Sequence, residues 1–293
     1  MKVSTLALSI LVLSACAHPA AQLPPTAAPS ASPTPSAFPS PSPTQASATH
    51  VFVIVMENHT YNQALSGQYV SQLAAEYPTA TNYHSVASPS LPNYLAITSG
   101  STWGIGDDNY HQLPAGGLGE QLTAAGTSWR AYMEGMTNGC LRDTYPYAVK
   151  HNPFAYYGGG CPKQVVPFTQ FASDMTGNVP NFVWITPGLC HDGHDCSETT
   201  ADQWLSQTVP TILATSAWQQ NGLLLITWDE AGGAGNHVLT LAIHPHAATL
   251  TSSVSYDHYS LLATLEDRLG VGRLGRAADA TPMTDLLANA SGF

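Results

Sequence analysis

Three stretches of the chain are apolar without a break, and each stops at polar residues that carry chemistry. VFVIVM, from Val51 to Met56, runs into Glu57, Asn58 and His59; NFVWITP, from Asn181, leads to Asp192, His194 and Asp195; LLLITW, from Leu223, ends at Asp229 and Glu230. Short apolar runs of this kind read as strands buried on both faces. In open α/β sheets, ligands bind in the crevice outside the carboxyl ends of such strands, so the three polar ends are expected to share one site. Between the runs, periodicity predicts helices over 62–76, from Ser90 onward, over 117–126, 168–175, 199–218 despite Pro210, and 256–270, with a last short one from Pro282. A strand is expected after Ser128, and HVLTLAIHP, from His237, alternates like a neighbouring antiparallel strand. This alternation predicts an α/β fold, a mostly parallel central sheet with helices on both faces.

The first 48 positions stand apart from that pattern. Lys2, the apolar stretch Val3 to Leu13 and Leu13-Ser14-Ala15-Cys16 resemble a bacterial lipoprotein signal over 1–16, with Cys16 the lipid-bearing residue; the stretch is too short to span a bilayer. Residues 17–48 are nearly all Ala, Pro, Ser and Thr, the composition of an extended, semi-rigid linker. The expected organisation is signal (1–16), linker (17–48) and one folded domain (49–293), exported and held to a bacterial membrane in the cell envelope by its lipid.

Nineteen acidic against 8 basic residues give a net charge of −11, which argues against a nucleic-acid partner. A small phosphorylated ligand stays open, because a bound cation reverses the local potential. Besides Cys16 there are four cysteines, and in an exported domain they are expected to pair as Cys140–Cys161 and Cys190–Cys196, each bracketing one loop. A Cys/His zinc site is the competing reading, weakened by the lack of paired CxxC spacing.

In SPSLPNYLAITSG, Ser90 lies between two prolines at a loop-to-helix junction. Free N–H groups there attract anions, so Ser90 either faces a phosphoryl group or simply caps the helix. On the residues alone, Glu57 as a cap, Asp229 and Glu230 as a solvated pair, and His258 as a packed helix residue also remain open.

Taken in order, VIVMENHTYN, SLPNYLAITSG, AYMEG, KHNPF, WITP with the following CHDGHDC, ITWDE and HYSLLATLED resemble the bacterial and fungal phosphoesterase family, which contains acid phosphatases and phosphatidylcholine-type phospholipases C. The resemblance runs from Val51 to about Gly270. It implies an alkaline-phosphatase-like fold and a metal-assisted attack of a hydroxyl on phosphorus. By position it makes Ser90 the nucleophile, Glu57 and Asn58 holders of metal and phosphate, and Asp229 and Glu230 metal ligands. Asp192, His194 and His258 match a second metal site, or bind phosphate or transfer protons. Ser88 stands where many relatives carry His, which shifts that imidazole to His84 or His111, while His151 and Asn152 of KHNPF receive no firm role.

The implied cofactor is a divalent metal ion. The carboxylates suit Mg²⁺, Ca²⁺ or Mn²⁺, and the imidazoles with Asp192 suit Zn²⁺. The metal activates the serine, and His194 or His258 shuttles protons. The activity expected first is hydrolysis of small phosphate monoesters through a Ser90 phosphoenzyme, ahead of a phospholipase C-type phosphodiesterase. A metal-free serine esterase is third, since no GxSxG elbow occurs. A non-catalytic binder of phosphorylated ligands is the remaining alternative. Tyrosines and phenylalanines from Tyr132 to Tyr157 are expected mostly to pack, with some lining a substrate mouth.

Overall fold

The computed structural model describes residues 49–232 and 235–288. The expected signal, Cys16 lipid site and linker lie outside the described residues. In chain order the strands are β1 (His50–Met56), β2 (Thr79–His84), β3 (Trp129–Met133), β4 (Val165–Pro167), β5 (Phe182–Thr186), β6 (Gly222–Trp228), β7 (His237–Ile243), β8 (Thr251–Ser252) and β9 (Tyr256–Asp257). The helices are α1 (Tyr61–Ala64), α2 (Gln68–Glu76), α3 (Ser90–Ser99), α4 (Gly117–Ala124), α5 (Phe171–Met175), α6 (Glu198–Leu213), α7 (Ser216–Asn221) and α8 (His258–Leu269).

One sheet runs in the order β4-β3-β5-β1-β6-β7-β2-β8, with β9 beside β2. The pairs from β4 to β6 are parallel, and β7 lies antiparallel to both its neighbours, β6 and β2. This is the mostly parallel α/β sheet that the apolar runs predict. Every side chain from Val51 to Met56 and from Leu223 to Ile226 is sealed from solvent, because helices cover both faces of a parallel sheet. α3, α4 and α8 pack together, α2, α5, α6 and α7 form a second group, and β1 meets α7 and α8.

Three differences from the sequence expectation have local causes. The helix expected over 62–76 is two helices. At Gly67 an added Cβ would sit 2.5 Å from the carboxylates of Glu198 and Asp202, and Asp202 instead receives the N–H groups of Tyr69 and Val70 at 3.0 and 2.8 Å. The helix expected over 199–218 likewise divides, since Thr215 accepts from Trp218 N at 3.1 Å and starts α7. β2, β4 and β8 have no apolar run to reveal them; β2 is recruited by pairing with β7. Both expected disulfides, Cys140–Cys161 and Cys190–Cys196, are present.

Candidate active site

β5, β1 and β6 are neighbours, and backbone bonds tie their carboxyl ends: Glu57 N to Asp192 O and Asp229 N to Met56 O, both 2.9 Å. Four acidic side chains from three separate stretches, Glu57, Asp192, Asp229 and Glu230, are therefore buried in one crevice. Asn58 takes a left-handed φ of 56°, which turns the chain so that its N–H donates to Asp229 Oδ1 at 3.3 Å. The Glu230 N–H donates to the same oxygen at 2.5 Å.

Ser90 opens α3 and is held by its surroundings. The Asn93 side-chain oxygen accepts from Val86 and Ala87 N–H at 3.1 and 2.9 Å, and its nitrogen donates to the Ala87 and Pro89 carbonyls at 3.0 and 3.2 Å. This fixes the loop entering the helix. Ser90, 1% exposed, donates its hydroxyl proton to Glu57 Oε2 at 3.0 Å. The next N–H, of Leu91, donates to Asp108 Oδ1 at 3.0 Å, and Asp108 Oδ2 pairs with Lys150 Nζ at 3.0 Å. Lys150 Nζ is also 3.1 Å from His194 Nε2. An ammonium only donates, so this ring nitrogen is the acceptor, while Nδ1–H donates to Asp195 at 2.7 Å.

Charge converges on His151. Its Nε2 is 2.9 Å from Glu57 Oε1 and its Nδ1 3.2 Å from Asp192 Oδ2, and Tyr94 stacks on the ring at 5.3 Å. Burial works against the imidazolium, but Glu57 and Asp192 outweigh it and lift the pKa to about 10. Burial also works against Glu57 ionisation, yet His151, Lys150 and His194 hold its carboxyl below the ordinary range. For Asp229 the balance goes the other way: burial first, and then the Glu57 charge, hold it well above its ordinary value against the opposing pull of His151 and the Asn58 N–H. Burial raises Asp192 and Glu230 as well.

Glu57 Oε1, Asp192 Oδ2, Asp229 Oδ2 and Glu230 Oε2 are all buried without a hydrogen-bond partner; the His151 contacts are at ion-pair distance but poorly aligned. Orphaned, crowded carboxylate oxygens are costly unless a cation meets them. As a donor set they fit a hard divalent ion. Glu57, His151 and His194 also place one candidate ligand atom each within 4.8 Å of one another, but the His151 imidazolium has no lone pair for an ion and His194 Nε2 is taken up by Lys150.

The structure thus brings together Glu57, Asn58, Ser90, Asp192, His194, Asp229 and Glu230. His258 is placed otherwise. It is fully buried, its Nε2 donates to the Asp229 carbonyl at 2.6 Å, and its Nδ1 meets the Tyr83 hydroxyl at 2.9 Å. Both ring nitrogens are engaged, and burial pushes the pKa down to about 4. His258 therefore buttresses the strand-end turn instead of taking the proton-transfer position expected for it. His84 and His111 do not replace an imidazole at Ser88: His84 bonds Gly235 O and Asn82, and His111 bonds Asp107. Sequence reasoning underrated His151 and passed over Lys150, Asp108 and Tyr94. The available signal was two adjacent basic groups, Lys150-His151, in a chain with only 8 Lys and Arg.

An alkaline-phosphatase-like sheet with this carboxylate-rich crevice defines the class, and the comparisons agree with it. Residues 65–272, more than half of the chain, match the Phosphoesterase family, and the chain belongs to that family. It is 30% identical over 261 residues to a phosphate-repressible acid phosphatase of Penicillium chrysogenum, covering 82% of this chain and 63% of that protein. It is 29% identical over 248 residues to a phosphatidylinositol-3-phosphatase of Mycobacterium tuberculosis, covering 81% and 82%. The chain spans less than two thirds of the length of the fungal acid phosphatases it matches. In fold it is similar to an alkaline phosphatase superfamily protein from Vibrio parahaemolyticus, with a TM-score of 0.57 at 11% identity over 76% of this chain and 67% of that one.

Proposed function

We propose that the chain is a hydrolase of phosphoric esters that cleaves small phosphate monoesters through a phosphorylated Ser90. The observation that carries this reading is the buried Ser90 hydroxyl hydrogen-bonded at 3.0 Å to Glu57, among carboxylates that each keep one oxygen without a hydrogen-bond partner. The names of the relatives, acid phosphatases and a phosphatidylinositol phosphatase, support it.

Glu57, Asp229 and Glu230 would hold a divalent cation, which when bound supplies the positive charge that lets these carboxylates ionise together and favours the alkoxide form of serine. In the first step, the Ser90 oxygen bonds to phosphorus as the ester P–O bond breaks, and the hydroxyl proton passes to Glu57 Oε2. The Lys150 ammonium, which donates to His194 Nε2, protonates the departing oxygen. In the second step, water attacks the phosphoserine and returns a proton to Lys150, while Glu57 gives its proton back to Ser90 and inorganic phosphate leaves. The His151 imidazolium holds Glu57 in its acceptor form between turnovers.

The 1–16 segment with Cys16 and the linker over 17–48 support an exported protein anchored by lipid in the cell envelope, and the two disulfides fit an oxidising compartment. Acid-quenching the protein during turnover of a ³²P-labelled monoester and mapping the label tests the central claim: label on Ser90 is expected, and turnover with label on another residue overturns it.

A further inference from the structure

Adjoining the carboxylate crevice through Lys150 and His194 is a cavity of about 280 Å³ lined by those two residues, by Tyr110, Leu141, Tyr156 and Leu189, and by the carboxylates of Asp108 and Asp143. Its rim is apolar and open: Tyr110 is 45% and Leu141 46% exposed, and Tyr110 leans on Tyr156 with ring centroids 5.1 Å apart. Single exposed hydrophobic residues are ordinary, but here two of them converge on one concave surface that also holds Lys150 and His194. The two carboxylates in the lining are already engaged. Asp108 binds Leu91 N–H and Lys150, and Asp143 accepts the Val149 N–H at 2.7 Å. They add negative potential and offer no donor, which disfavours a leaving group with a second anionic charge. A larger apolar cleft of about 330 Å³, between Gly116 and Trp129, contains none of the site residues.

We infer that this cavity receives the leaving group of the ester and selects an uncharged, aromatic or alkyl one. The inference rests on the phosphoesterase reading and deepens it. The phosphoryl group lies toward Ser90, the Lys150–His194 pair meets the bridging oxygen, and the organic portion is buried between the two tyrosines and the two leucines. Its source is a soluble arylalkyl phosphate or the phosphate of a lipid, which share this chemistry.

Benzyl phosphate and glycerol 1-phosphate both release a primary alcohol, so they differ in the apolarity of the leaving group with closely matched intrinsic reactivity. The expected result is a kcat/KM about tenfold or more in favour of benzyl phosphate, the size of effect a hydrophobic pocket gives for a small apolar group. Tyr110→Ala and Leu141→Ala are each expected to lower that ratio at least about threefold. Leu250→Ala, an exposed leucine outside the cavity, leaves the ratio unchanged, and melting curves verify that all three variants fold. Phosphatidic acid in vesicles is the second arm: a loss confined to benzyl phosphate assigns the cavity to soluble esters, and a loss shared with the vesicles assigns it to lipid. Equal kcat/KM for benzyl and glycerol phosphates, unmoved by Tyr110→Ala and Leu141→Ala, overturns the cavity assignment alone. Absence of hydrolysis of every ester overturns the phosphoesterase reading together with it.

Discussion

The Ser90 hydroxyl donates to Glu57 Oε2 at 3.0 Å although the two residues are 33 positions apart in the chain. One opens a helix and the other closes a strand, so the contact exists only when the sheet and α3 are both in place. Ser90→Ala is expected to lower kcat for monoester hydrolysis by at least ~10³-fold, because nothing else in the crevice replaces a nucleophile. The thermal midpoint should shift by no more than ~1 kcal/mol of stability, since only one oxygen is lost. Initial-rate assays paired with melting curves measure both; retention of more than a few per cent of activity removes Ser90 from its proposed role.

Chelation is expected to act on stability as well as on turnover. Dialysis against EDTA should abolish activity, and Mg²⁺, Ca²⁺, Mn²⁺ or Zn²⁺ should restore it. An ion that binds only the folded protein adds about 2.7 kcal/mol when present at a hundred times its Kd. The melting temperature should therefore rise with added ion, and Asp229→Asn should diminish that rise. Full activity in EDTA with an unmoved melting curve would eliminate the metal.

His151 counters the charge of both Glu57 and Asp192. Removing one partner from a buried ionic group leaves the others uncompensated, at a cost of ~3–5 kcal/mol. His151→Ala should lower metal-free stability in urea by that amount, and excess divalent ion should recover part of it. A urea midpoint equal to that of the unsubstituted protein contradicts the assigned charge balance.

Away from the crevice, Glu266 is buried in α8, accepts the Leu274 N–H at 2.8 Å, and has its pKa raised by burial to about 8. A carboxyl whose folded pKa exceeds its unfolded value binds its proton more tightly when folded. Its contribution is complete below the unfolded value of about 4.5 and is lost as pH rises through about 8. Glu266→Gln keeps the acceptor for Leu274 and removes the titration. It should flatten stability between those limits by roughly 1–2 kcal/mol after allowance for solvent screening. Denaturant curves at several pH values decide this, and an unaltered pH slope refutes it.

Reduction is expected to act through the loop that carries Leu141 and Lys150. Breaking both disulfides should cost ~2–5 kcal/mol per bridge, read as a lower melting temperature under strong reductant. Unchanged melting on complete reduction would show that the bridges contribute nothing.

The central sheet was legible because β1, β5 and β6 are uninterrupted apolar runs, and a strand covered on both faces has no polar positions to disguise it. The acidic ends of β1 and β6 were legible for a related reason, since polar groups directly after such runs have only the sheet edge to occupy, whereas Ser90 was legible only through the resemblance of SLPNYLAITSG to the phosphoesterase family. Two features escaped. β2, TATNYH, is half polar and becomes a strand only by pairing with β7. His151 sits in a long loop held by Cys140–Cys161, and no periodicity in its neighbours says that the loop folds back to Glu57. The opposite error concerned His258, whose place at the start of an amphipathic helix was visible but whose engagement with Tyr83 and the Asp229 carbonyl was not.

The backbone bonds joining Glu57 to Asp192 and Met56 to Asp229 have a consequence for how this scaffold tolerates change. Spacing among the acidic groups is dictated by the lateral repeat of the sheet, whereas the walls facing an incoming ester come from the segment between Cys140 and Cys161 and its neighbours. Replacing the wall residues of that segment while retaining Lys150 and His151 should alter which alcohols are released and leave the reactive geometry intact, so selectivity and reactivity are separately engineerable here.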